Sequence, residues 1–439
     1  MEKTKHKRTW IKWTIYWGIV LFVYITLSAI FGNFVLYALL LLLAAAYFAL
    51  RLLFAPFVQL IPSRIIKLAL YIILDCLILG GLVGVCFVIV ESGTSYNNSY
   101  IASLDYTRFA HTSSYRYDHE TGVYTVTSEN EDLKILQLTD VHLCGSINTI
   151  GTDRKAIDAC YTLIEEAQPD LIIVTGDIVY PIPIQTFNSN NLIPVDQFCT
   201  FMNKVGIPWM MVYGNHDTEL VADYDEKSLS SLFRHYKGEG APMLYAEKQP
   251  DIYGRYSQYL RIENRDGSLN RVLFLIDSND YVQDSSEIND YDSVHDDQIQ
   301  WYSDTIDELS KAEGSTISSF VFMHIPFRAF ADAQEALRTG NPDAVYLFGE
   351  NGEGVSCPAR DSGFFDTILS KGSTQAVFVG HDHLNNMAVN YKGIDLVYSK
   401  SIDYIAYPRI ANETAQRGAT LITLHEDKTY EMKQIDYAK

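Results

Sequence analysis

The sequence predicts an α/β domain with layered sheets, preceded by about three membrane-spanning helices. Three observations predict it. The first 90 residues hold three apolar stretches, short apolar runs alternate with helical stretches across residues 122–439, and five of those runs end in polar residues.

Each apolar stretch (residues 11–31, 34–54 and 65–90) meets the ~20-residue requirement for crossing a ~30 Å hydrocarbon core. The first has Lys12 at its edge, the second Arg51 near its end and the third Asp75 inside it. Asp75 reads as a residue hydrogen-bonded to another helix or reaching the interface. A cleaved signal peptide is the alternative for residues 11–31. Its apolar core would be unusually long, and no small-x-small site separates it from the second stretch. Basic residues precede the first stretch and lie between the second and third (Arg51, Arg64, Lys67). The positive-inside rule then places both regions in the cytoplasm and the following chain outside. Two helices instead of three would reverse that orientation.

Composition separates the two parts of the chain. Hydrophobic residues make up 48% and charged residues 20% of the 439, which excludes a disordered chain or a coiled coil. Residues 1–90 carry eight Lys/Arg against two acids. From the totals of 34 basic and 54 acidic groups, the remainder holds 26 and 52, a net charge of −26. So acidic a domain repels polyphosphate backbones, and nucleic-acid binding is not expected.

Residues 91–121, rich in Ser, Tyr and Asn, read as a linker that partly packs on the domain. The domain itself spans 122–439. Strand-like runs occur at 133–138, 171–175, 209–213, 272–276, 320–323 and 376–379, with helical candidates at 154–167, 226–236, 298–309 and 364–371. That alternation is the signature of an α/β domain.

The ends of these runs carry the chemistry. They lead into Asp140-Val141-His142, Gly176-Asp177, Gly214-Asn215-His216-Asp217, His324 and Gly380-His381-Asp382-His383. Ligand sites in α/β sheets lie beyond the carboxyl ends of strands, so residues distant in sequence converge there. Asp, Asn and His without cysteine form a donor set for borderline-to-hard divalent cations, and their number suits two metals sharing a carboxylate. The i, i+2 pairs would share one face if extended. Six cysteines show no CxxC spacing and read as free thiols. Tyr213, Tyr281 and Tyr302 are candidates for lining a cleft, with core packing the commoner role.

This ordered series, D-x-H, G-D, G-N-H-D, H and G-H-x-H, resembles the calcineurin-like metallophosphoesterase superfamily over about residues 133–385. The stretch FGENGEGVSCPARDSGFF at 348–365 is similar to the Dcr2-like, purple-acid-phosphatase-16-like branch. The resemblance implies a four-layer β-sandwich flanked by helices, with two divalent metals (Mn, Fe or Zn) at one end. It implies Asp140, His142 and His383 on the first metal, Asp177 as the bridge, and Asn215, His324 and His381 on the second. His216 would stand near the leaving group as the catalytic residue. Asp217 and Asp382 would orient imidazoles or be solvated loop carboxylates. Tyr180 also fits the G-D-x-x-Y pattern of purple acid phosphatases, whose Tyr binds ferric iron; with His142 present it reads as a wall residue.

The expected function is that of a hydrolase acting on phosphoric esters, membrane-anchored, attacking mono- or diesters with a metal-bound hydroxide. The rivals are a phosphoprotein phosphatase and a non-catalytic metal-containing membrane sensor. Expected partners are a phosphate-ester substrate and the membrane.

Overall fold

The computed structural model describes residues 34–237, 242–282, 291–407 and 416–437. The expected first span, 11–31, lies outside the described residues. The second and third form helices α1 (Phe34–Gln59) and α2 (Arg64–Ser103). Both are long and apolar enough to cross a membrane by length and composition, over Leu41–Gln59 and Arg64–Leu82. Their apolar side chains are largely uncovered: Leu52, Phe57, Leu60, Ile65, Leu68 and Leu77 are all more than half exposed. Asp75 finds a partner across the hairpin, its Oδ2 lying 3.1 Å from Arg51 Nη2.

Helix α2 does not end at residue 90. It continues to Ser103, through the start of the expected linker, although Ser, Gly and Asn are weak helix formers. Tertiary contacts override that preference. Thr94, Asn97 and Ile101 are buried, and Lys204 Nζ donates to the carbonyls of Ala102 (2.7 Å) and Leu104 (2.6 Å) at the helix end. An apolar hairpin and a polar-ended domain thus share one continuous 40-residue helix.

The domain then runs β1 (Ser113–Asp118), β2 (Val123–Ser128), β3 (Asp132–Leu138), α3 (Ile150–Ala167), β4 (Leu171–Thr175), α4 (Pro183–Thr186), α5 (Leu192–Val205), β5 (Trp209–Val212), α6 (Glu226–His235), β6 (Gln258–Glu263), β7 (Leu269–Leu275), α7 (Asp296–Glu313), β8 (Ser319–Phe322), α8 (Arg328–Thr339), β9 (Ala344–Phe348), α9 (Phe364–Lys371), β10 (Thr374–Val379), β11 (Ala388–Tyr391), β12 (Ile394–Tyr398), β13 (Gly418–His425) and β14 (Tyr430–Asp436). They form two mixed sheets, ordered β1-β2-β6-β7-β8-β10-β12-β11-β9 and β14-β13-β3-β4-β5.

Side-chain alternation stacks these sheets. In β4, Leu171 and Ile173 join a core shared with Phe320, Phe322 and Phe378 of the larger sheet. Ile172 and Val174 turn the other way, onto Ile157 and Leu163 of α3 and Phe198 of α5. In β8, Phe320 and Phe322 face the smaller sheet, while Val321 packs with Tyr302 of α7 and Phe364 of α9. Both sheets are covered on both faces, which is why their central strands read as continuous apolar runs. Strands β3, β4 and β5 are parallel neighbours, as are β7, β8, β10 and β12. Their carboxyl ends supply the site.

Candidate metal centre

The segments following β3, β4, β5, β8 and β10 meet at one rim. Donor atoms of Asp140, His142, Asp177 and His383 all lie within 4.8 Å of one another, and so do those of Asp177, His324 and His381. Asp177 belongs to both groups. All six residues are buried. Asn215 adjoins the second group, its Oδ1 3.2 Å from His324 Nε2.

The expected extended geometry of the i, i+2 pairs is not what brings them together. Asp140, His142, Asp177 and His381 take left-handed conformations, with φ of 54°, 55°, 52° and 75°. Non-glycine residues there store strain, and such residues cluster at functional sites. The chain turns sharply past each strand and points these side chains inward. Gly214 permits a close approach: a Cβ on it would collide with Asp177 Oδ1 and the Asp177 backbone.

One hydrogen bond and one shared carboxylate orient three of the imidazoles so that Nε2 faces the cluster. His324 Nδ1 donates to the Thr175 carbonyl at 2.7 Å, leaving Nε2 3.2 Å from Asp177 Oδ2. Asp403 serves two histidines at once, with Oδ2 2.9 Å from His383 Nδ1 and Oδ1 3.4 Å from His142 Nδ1. Their Nε2 atoms then lie 3.4 Å from Asp140 Oδ1 and 3.2 Å from Asp177 Oδ2. Carboxylates and carbonyls holding the far nitrogen are the usual support of metal-binding histidines. His381 Nε2 is buried without a hydrogen-bond partner among the described residues. That orphaned atom, and three carboxylates facing four imidazoles out of water, fit a pair of cations.

Electrostatics follow the same layout. Burial opposes charge on His142, but Asp403 and the bond to Asp177 outweigh it and raise its pKa to about 9. His324 rises to about 8 because Asp177 overcomes the same penalty. His383 goes well above the usual histidine range through Asp403 and Asp140, again against burial. His381 is held well below it by burial and by His324. Asp177 stays far below the carboxylate range, since His324 and His216 outweigh its desolvation.

His216 stands beside the cluster. Its backbone N–H donates to Asp177 Oδ1 at 2.8 Å, and its ring packs edge-on against His142 and Tyr180. Tyr180 stacks on His142, centroids 5.1 Å apart and planes at 16°, which makes it a wall of the site. Burial and Asp403 push its phenol pKa up, away from a tyrosinate. Among the described residues Asp217 and Asp382 hydrogen-bond to no imidazole, and both are buried. Buried Asp217 accepts from the backbone N–H of Gly214 (2.8 Å), Asp177 (3.0 Å) and Val179 (3.2 Å), clasping two site loops together. Asp382 accepts from Tyr398 Oη at 2.6 Å and from Ser356 N–H. Of the three cleft tyrosines, only Tyr281 reaches the site, accepting from Asn215 Nδ2 at 2.9 Å. Tyr213 and Tyr302 are core residues bonded to Ser230 and Thr374. Cys144, Cys160 and Cys199 are buried free thiols.

The family model for the calcineurin-like phosphoesterases matches residues 133–385. Among curated proteins the chain is similar to Probable inactive purple acid phosphatase 14 of Arabidopsis thaliana, 27% identical over 304 residues, covering 63% of this chain and 72% of that one. Probable inactive purple acid phosphatase 29 of the same plant is 26% identical over 325 residues, covering 66% and 77%. Phosphatase DCR2 of Saccharomyces cerevisiae is 24% identical over 279 residues, covering 61% of this chain and 47% of its own. A solved dimetal phosphatase from Danio rerio aligns at a TM-score of 0.44 and 14% identity, over 70% of this chain and 99% of that one. The family match spans more than half of the chain and contains seven metal-site candidates and His216, so the chain belongs to the calcineurin-like phosphoesterase family.

Proposed function

We propose that this chain is a two-metal phosphoesterase that hydrolyses phosphate mono- or diesters. The carrying observation is that the Asp177 carboxylate belongs to both donor groups. In this reading Asp140, His142 and His383 would hold one ion and Asn215, His324 and His381 the other, with Asp177 available to both. Bound divalent cations supply polarisation of the phosphoryl group and acidification of a water. The chain's own residues do the rest. Asp403 and the Thr175 carbonyl keep three imidazoles pointed at the ions. His216 gives a proton to the departing alcohol oxygen. Tyr180 and Tyr281 wall the site.

Three relatives carry the word inactive in their names. A sensor that had lost catalysis would lack a ligand or His216, and this chain keeps all eight residues in one place. The hairpin supports a membrane-inserted protein, because its apolar faces are bare, unlike those of a core helix. With the domain extracytoplasmic, intact cells exposed to protease would lose it.

The test is a hydrolysis screen of the Mn-, Fe- or Zn-loaded chain on monoesters, diesters and phosphopeptides. Asp177→Asn and His216→Ala are each expected to lower turnover about 100-fold or more. Undiminished hydrolysis by Asp177→Asn would remove the proposal.

A further inference from the structure

We infer that the loops following His142 and Asp177 rest on the bilayer that holds the hairpin, so that the phosphoester taken by this site is carried by a lipid of that bilayer. The inference rests on the phosphoesterase reading and the membrane-inserted hairpin above. Helix α2 sets the distance. Its apolar run ends at Val90, and Glu91 is the next charged residue after Asp75. Gly93 then packs so tightly on the loop after His142 that a Cβ on it would collide with the Ile147 side chain. Asn97 Nδ2 donates to the Ser146 carbonyl of the same loop at 2.7 Å. At about 1.5 Å of rise per residue, these contacts stand ~5 Å and ~10 Å beyond the apolar end of the helix. That is the depth of the headgroup layer and its outer edge.

A second loop, 178–195, carries on from Asp177 and lies beside the first, 143–152. Asn188 Nδ2 donates to the Cys144 carbonyl at 2.8 Å, and Asn148 Nδ2 to the Gln185 carbonyl at 3.4 Å. Neither loop holds a charged residue, although residues 91–439 carry a net charge of −26. Ile147 and Pro183 are exposed, and Ile150, Ile182 and Phe187 are half-buried, which gives the two loops an apolar surface. An uncharged, apolar-tipped face at headgroup depth suits a lipid interface, where a charge would be costly to bury. The bilayer is its occupant because one continuous helix joins this face to the bare hairpin. Tyr180 of the second loop stacks on His142, so the same surface is also a wall of the metal site. A headgroup phosphate can reach the ions there while its acyl chains stay in the membrane.

The test places the full metal-loaded chain in phosphatidylcholine vesicles that contain phosphatidic acid or phosphatidylglycerol. Their hydrolysis is compared with that of the water-soluble dibutyryl forms of the same two lipids. Sharing a surface raises the effective concentration, so the long-chain forms are expected to react about tenfold faster or more at equal total concentration. Ile147→Asp combined with Pro183→Asp, which charges both loop tips, should cut that preference to about twofold or less. Independently of turnover, a phosphatidylcholine with a diazirine near its glycerol should label peptides from 143–152 and 178–195. It should spare the turn 129–131, at the opposite end of β3 from His142. Equal labelling at that turn, equal rates on the two forms, or hydrolysis of 4-nitrophenyl esters alone would overturn the inference and leave the phosphoesterase reading standing. A chain that hydrolyses no ester at all would remove that reading, and the lipid substrate with it.

Discussion

Asp403 lies between His142 and His383, its two carboxylate oxygens 3.4 Å and 2.9 Å from their Nδ1 atoms. The two imidazoles come after strands of different sheets, so this side chain ties the two halves of the sandwich together at the site. Asp403→Asn should weaken binding of the first ion about 10- to 100-fold while the fold persists. Chelator competition with a metal-sensitive dye reads that loss, and an unchanged affinity would reduce Asp403 to packing.

Metal loading should strengthen as pH rises. A ligand histidine must be neutral, whereas in the metal-free chain His142 titrates at about 9, His324 at about 8 and His383 higher than usual. Below those values binding must expel protons, and above them it need not. Calorimetry in buffers of different ionisation enthalpy should find net proton release near pH 7 and tighter binding at pH 8.5 than at pH 6. Loading that ignores pH would contradict the charge pattern of the site.

The site was legible in sequence because each ligand sits in a short motif immediately past a strand-like run, where strand direction dictates convergence. Asp403 was not. It lies past residue 385, where the family match ends, and the preceding strand β12 ends in Tyr398 with no motif to flag the turn beyond it. The end of helix α2 was hidden for another reason. Residues 91–103 are poor helix formers held by contacts to α3 and α5, and nothing local in ESGTSYNNSYIAS announces those partners. Asp217 was recognised, but its role as a backbone clasp depends on loop conformations that spacing does not encode.

Helix α2 is joined to the site. Asn97 Nδ2 donates to Asp153 Oδ2 and to the Ser146 carbonyl, both at 2.7 Å, and Asp153 accepts the N–H groups of Cys144 and Gly145 just past His142. Burial raises Asp153 to about 6. Between roughly pH 4 and 6 the folded chain holds a proton that the unfolded chain has lost, so stability from this group falls as pH rises through that window, by on the order of 2–3 kcal/mol. Asn97→Ala removes a donor to the ionised form and should cost about 1–3 kcal/mol at pH 8 and less at pH 5. Denaturant unfolding at the two pH values checks this; an equal deficit at both would show that Asn97 does not serve the carboxylate.

Gly214→Ala should be more damaging than its single methyl suggests, because that methyl collides with the shared carboxylate of Asp177. We expect loss of metal retention with only a modest fall in melting temperature. Full retention after dialysis would mean that the loops shift freely, against the clasp provided by Asp217.

The two-metal reading depends most on Asp177 serving two ions at once. Counting metals per chain, by elemental analysis after reconstitution and dialysis, tests this directly in the parent and in Asp177→Asn. Two ions are expected in the parent and one or none in the variant. A parent that binds a single ion, or a variant that keeps both, would contradict it.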